Sequence, residues 1–138
     1  MNTTEHEAHD PTNTDAPPRA RIVRAVFALY AAALLVATHW PRLAIDGPIE
    51  RPDLVIHLGA FGLWTLLLIA CAFFGRALGA RNVLISAAIA ALYAPLDELS
   101  QSIPALHRVA AVDDALANLL GVALAAGLAL ALGALTRP

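Results

Sequence analysis

The chain has 138 residues, 59% of them hydrophobic and only 14% charged, and its mean hydropathy is +0.66. A soluble domain of this size cannot hide that much apolar surface. All nine cations are arginine, the net charge is −2, and no basic patch marks a nucleic-acid partner.

Residues 1–20, MNTTEHEAHDPTNTDAPPRA, contain almost no large apolar group and cannot recover their ordering entropy by burial, so they are predicted to be a disordered tail. His6 and His9 lie there without further ligands nearby, which makes them solvated residues rather than a metal tract. Four apolar segments follow, at about 22–40, 54–74, 82–103 and 115–135. Each approaches the ~20 residues that cross ~30 Å of hydrocarbon at 1.5 Å per residue. Arg19, Arg21 and Arg24 ahead of VFALYAAALLVA also fit a signal peptide, but no clean small-x-small site precedes Trp40 and Pro41, so an uncleaved anchor is expected. Arg24 can snorkel to the headgroups, whereas Tyr30 lies deeper and is less easily explained. Cys71, the single cysteine, sits in the run LLLIACAFF, which excludes an intramolecular disulfide and argues against a reactive thiol.

The connections are short and rich in breakers. Backbone polar groups in lipid must pair within their own segment, so the expected fold is all-α, an integral membrane bundle of four antiparallel transmembrane helices over 21–138. Ala117, Gly121 and Ala125 recur at a spacing that permits close helix approach, and Pro95 is expected to bend the third helix near its end.

In this topology the N-terminus, the second connection and the C-terminus share one side, with Arg19, Arg21, Arg24, Arg76, Arg81 and Arg137; the other side holds Arg42, Arg51 and Arg108. Six arginines against three predict that both termini lie in the cytoplasm. Every acid beyond the tail falls in the opposite, outer half: Asp46, Glu50, Asp53, Asp97, Glu98, Asp113 and Asp114. The stretch YAPLDELSQ at 93–101 is thereby one wall of a polar pocket at the outer face.

Helical spacing refines that pocket. Asp53 and His57, Asp97 and Gln101, and Asp114 and Asn118 are each four apart, Glu98 is three from Gln101, and Tyr93 extends the stripe one turn deeper. Asp53, Asp113 and Asp114 stand near helix N-termini, where acids are favourable, and for Asp113 capping or solvation is a sufficient role. His57 and Asn118 lie about a turn inside the apolar boundary and must face partners, with Glu98, Gln101 and Arg108 as candidates. The candidate ligand-binding set is Asp53, His57, Asp97, Glu98, Gln101, Arg108, Asp114 and Asn118.

Asp53-x3-His57, then Asp97-Glu98-x2-Gln101, then Arg108-x5-Asp114-x3-Asn118-x2-Gly121 together resemble the VanZ-like family of small bacterial membrane proteins, over roughly residues 41–127. Leu54 stands where the family commonly has lysine, Phe61 where it often has tyrosine, and Pro104-Ala105-Leu106-His107-Arg108 replaces its Pro-Gly-Arg segment. The resemblance implies an integral membrane protein, related in some members to lowered sensitivity to teicoplanin-type lipoglycopeptides.

Three functions are compatible with the residues. The leading one is a module that binds or modulates an envelope lipid, a lipid-linked cell-wall intermediate or a glycopeptide, with Arg108 pairing to phosphate or carboxylate while Gln101, Asp114 and Asn118 orient polar groups. The second is a membrane enzyme using His57 and Glu98 as acid and base and Asp53 to orient the imidazole, with no marked nucleophile, although Ser100 and Ser102 are near. A metal-coordinating variant of it would draw on Asp53, His57, Glu98 and Asp114, but no ligand-spacing signature such as H-E-x-x-H supports it, so neither metal nor cofactor is assigned. The third is an accessory subunit whose polar residues fix helix register.

Overall fold

A computed structural model describes residues 17–40, 51–104 and 111–136. They form four helices, α1 (Pro18–Thr38), α2 (Pro52–Ala70), α3 (Ala80–Gln101) and α4 (Val112–Leu135), and no strand occurs among the described residues. All four are long and apolar enough to cross a membrane; the shortest has 19 residues, about 29 Å at the α-helical rise. The chain is an all-α, multi-pass membrane protein.

Local chemistry accounts for the boundaries. Pro18 and Pro52 open α1 and α2, where a missing N–H is no loss and the ring already holds the helical φ. The start at Pro18 places 18–20 in α1, so the part of the expected tail left outside the described residues is 1–16. Helix α2 stops four residues short of the expected Phe74. Ala72 has φ 53°, a left-handed conformation that cannot continue a helix. Asn82 secures the turn that follows: its Nδ2 donates to the carbonyls of Ile69 and Ala77, both at 2.9 Å, and its Oδ1 accepts from the Phe74 N–H at 3.1 Å. Helix α3 runs through Pro95 without interruption.

Contacts between helix ends define the direction of each helix. Thr38 at the end of α1 meets Asp97 near the end of α3, while His57 near the start of α2 meets Asn118 near the start of α4. At the opposite end, Arg24 of α1 lies beside Cys71 and Phe73, and Asn82 of α3 bonds Ile69 of α2. The helices therefore run up, down, up, down. Helix α2 is central and makes its largest interface with α4.

The bundle is apolar outside, and α4 turns mostly small or polar residues inward. Leu116, Leu120, Leu124, Leu128 and Leu132 form an exposed stripe on α4, whereas Asn118, Val122, Ala125 and Ala129 face inward. In water such a stripe is a liability, but in lipid it is the proper solvent face. Small inward residues let backbones approach, as membrane helices require when no hydrophobic force drives them together. A Cβ at Gly121 would overlap the Leu58 carbonyl oxygen, one at Gly133 would overlap that of Leu78, and one at Gly62 would stand 3.4 Å from the Gly121 oxygen.

Aromatic groups fill the middle of the bundle. The Tyr93 ring lies 5.3 Å from that of Trp64 and 5.9 Å from that of Phe61, both stacked, and Phe27 meets Trp64 edge-on at 5.3 Å. Tyr30 has a partner: its hydroxyl donates to the Ala60 carbonyl at 3.0 Å, tying α1 to α2. Arg24 is held over the Phe73 ring at 4.8 Å. Cys71 is buried, and burial pushes its thiol up, opposed by the nearby Arg24 charge; it is a packing residue.

Candidate functional site

Polar side chains gather at the end of the bundle where α1 and α3 finish and α2 and α4 begin, directly above the aromatic layer. Each helix supplies part of the cluster. Asp97 and Glu98 come from the last turn and a half of α3, Asp114 and Asn118 from the first two turns of α4, His57 from the second turn of α2, and Thr38 from the last residue of α1.

Asp97 is a closed hub. Its Oδ1 accepts from the hydroxyls of Tyr93 and Thr38, each at 3.1 Å, and its Oδ2 accepts from Gln101 Nε2 at 3.3 Å. It is 2% exposed, and its three donors offset the burial of the carboxylate. Gln101 Nε2 also lies 3.3 Å from Glu98 Oε1, and Asn118 Nδ2 approaches the same oxygen at 3.5 Å. Gln101 and Asn118 are themselves fully enclosed. The i, i+3 and i, i+4 pairings on α3 anticipated from spacing are therefore made.

His57 and Asp114 form the rim, with side chains 13% and 15% exposed. Asn118 Nδ2 points to Glu98, so its Oδ1, at 3.1 Å from His57 Nδ1, accepts a hydrogen bond from the N–H of that nitrogen. His57 Nδ1 is also 3.6 Å from Glu98 Oε1, and His57 Nε2 is 3.6 Å from Asp114 Oδ2. Glu98 Oε2 and Asp114 Oδ1 are buried without a hydrogen-bond partner among the described residues, although the Ala111 backbone amide lies near the Glu98 carboxylate. One side of the cluster is thus satisfied and the other has unused acceptors.

Asp53 stands apart from this set. Its carboxylate turns to Arg51 at 3.1 Å, and Arg51 also reaches Asp113 at 2.6 Å, bridging the starts of α2 and α4. The Asp53 and Asp113 carboxylates raise the affinity of the Arg51 guanidinium for its proton. The cation beside Asp53 is thus two residues before it in sequence rather than at Leu54. These ion pairs are exposed and weak in water. The carboxylate that faces the His57 imidazole is Asp114, not Asp53, because Asp53 sits at the solvent edge one turn above.

Arg108 lies outside the described residues. Thr38 and His39 of the first segment were not anticipated: His39 Nε2 is 2.7 Å from Ser100 Oγ and its Nδ1 is 2.9 Å from the Leu35 carbonyl. Their position at the end of the apolar run was the available signal, since polar groups there share a membrane face with YAPLDELSQ. The described candidates Asp97, Glu98, Gln101, Asp114, Asn118 and His57 meet as one cluster. No family model matches this chain, and neither a curated protein nor a solved structure matches it.

Proposed function

We propose that this is a VanZ-like protein of the bacterial cytoplasmic membrane, with both termini in the cytoplasm, that binds the polar headgroup of an envelope lipid or lipid-linked cell-wall intermediate at the outer face. The observation that carries the reading is the graded cluster. A buried set, Asp97, Gln101 and Asn118, holds Glu98 and His57 in place, while Glu98 and Asp114, on either side of the His57 imidazole, each retain an acceptor oxygen without a hydrogen-bond partner among the described residues. A register-fixing network needs no such unused atoms. Headgroups arrive at this depth by lateral diffusion, and the lipid-facing leucines guide the acyl chains.

A photoreactive polyprenyl-phosphate sugar is expected to crosslink to the starts of α2 and α4 in native membranes, and labelling should drop at least ~10-fold in His57→Ala at equal abundance, as loss of a buried polar contact implies. Labelling spread along the leucine stripe and unchanged in His57→Ala would refute the reading. Turnover of the probe, lost in that variant, would replace binding with acid–base catalysis. For orientation, an Asp53→Cys variant is expected to react with a membrane-impermeant thiol reagent from the outside of intact cells and a Gly79→Cys variant only after lysis; the reverse pattern overturns the assignment.

A further inference from the structure

We infer that His57, Glu98 and Asp114 form a binding site for a divalent cation of the zinc class. One ligand atom from each lies within 4.8 Å of the other two, and the three residues come from three different helices.

Asn118 Oδ1 accepts from His57 Nδ1 at 3.1 Å, so in the neutral imidazole the lone pair is on Nε2. Nε2 faces Asp114 Oδ2 at 3.6 Å. Two acceptors are turned to each other, and the separation is too long for a hydrogen bond even when the ring is protonated. It matches the edge of a tetrahedral zinc site, about 3.4 Å for ligands at about 2.0–2.2 Å from the metal.

Glu98 supplies the second, independent observation. It is 3% exposed, its Oε1 is engaged by Gln101 and Asn118, and, although the Ala111 backbone amide lies near the carboxylate, its Oε2 has no well-aligned hydrogen-bond partner among the described residues. Asp114 Oδ1 is in the same condition. Leaving carboxylate oxygens buried and unpartnered is unfavourable, and a bound cation removes that penalty at both oxygens together. The outer partners are those of a metal site: Asn118 fixes the imidazole tautomer, and Gln101 and Asn118 orient the Glu98 carboxylate. One imidazole and two carboxylates suit Zn²⁺ or Mn²⁺ better than Ca²⁺, which takes six to eight oxygens. Three protein ligands leave a coordination position open toward the rim, where phosphate or hydroxyl oxygens would enter. The site stands whether or not a lipid headgroup is the ligand.

The test uses the full chain in detergent micelles without an affinity tag of histidines, titrated with Zn²⁺ against a chromophoric chelator, with bound metal counted by elemental analysis after desalting. A background carrying His6→Ala and His9→Ala removes tail binding. About one equivalent is expected to remain bound, with affinity falling at least ~10-fold in Asp114→Asn, in Glu98→Gln and in His57→Ala, and more modestly in Asn118→Ala. Substituted Co²⁺ is expected to give the visible spectrum of a four- or five-coordinate ion. Asp114 sits at the rim, so Asp114→Asn keeps the fold in which binding is read. Zn²⁺ binding as tight in Asp114→Asn as in the parent, or a parent that retains no metal, overturns the inference. No lipid is present, so the outcome is separate from that of the crosslinking experiment.

Discussion

Gly121→Val is expected to destabilise the folded bundle by about 3 kcal/mol, at the upper end of the cost of forcing atoms into a packed interface. The first added carbon would overlap the Leu58 carbonyl and stand 3.0 Å from the Gly62 nitrogen. Both obstacles are backbone atoms of α2, so no side-chain rotation relieves the clash and the helices must part. The consequences extend to the site: Leu58 adjoins His57, Asn118 is one turn before Gly121, and separating α2 from α4 breaks the 3.1 Å His57–Asn118 bond. Gly127 is the control, because an added Cβ there meets nothing within 4 Å; Gly127→Ala should be neutral or stabilising by up to about 1 kcal/mol through helix propensity. Thermal or denaturant unfolding in detergent compares the two. Equal stability of Gly121→Val and the parent would mean that α2 and α4 are not in backbone contact.

Asp97→Ala is expected to cost a similar amount, about 3 kcal/mol, for a different reason. The carboxylate accepts from Thr38, Tyr93 and Gln101, and its removal leaves three donors in a site from which water is excluded, each costing about 1–3 kcal/mol if none re-pairs. Gln101 re-pairs most easily, because it already contacts Glu98. Tyr93 is held by stacking on Trp64 and Phe61, and Thr38 loses its bond to α3. Asp97→Asn keeps one acceptor oxygen and should lose about half as much. Thr38→Val and Tyr93→Phe each remove one bond to Asp97 and should cost about 1 kcal/mol. The same unfolding measurement applies, and an Asp97→Ala protein as stable as the parent would show that the hub does not tie α1 to the bundle.

Much of this architecture is local and can be read along the chain. The spans follow from apolar length, since each helix must satisfy its own backbone in lipid. Pairings within α3, Tyr93 with Asp97 and Asp97 with Gln101, follow from the helical repeat, which fixes which side chains share a face. The inward direction of His57 and Asn118 follows from the cost of an unpaired polar group at that depth.

Contacts between helices are another matter, because the rotation of a helix about its own axis is set by packing. Gly121 against Leu58 and Gly62, and Gly133 against Leu78, decide which face of α4 turns inward. That rotation brings Asp114 rather than Asp53 to the His57 imidazole and leaves Asp53 to Arg51. It also decides that Thr38 of α1 completes the Asp97 hub, a contact across 59 residues that no periodicity encodes. Apolar length and the placement of charged residues along the chain already dictate four membrane helices with acids gathered at one end. Only tertiary packing, through the few places where glycine lets backbones touch, decided which of those acids share an imidazole.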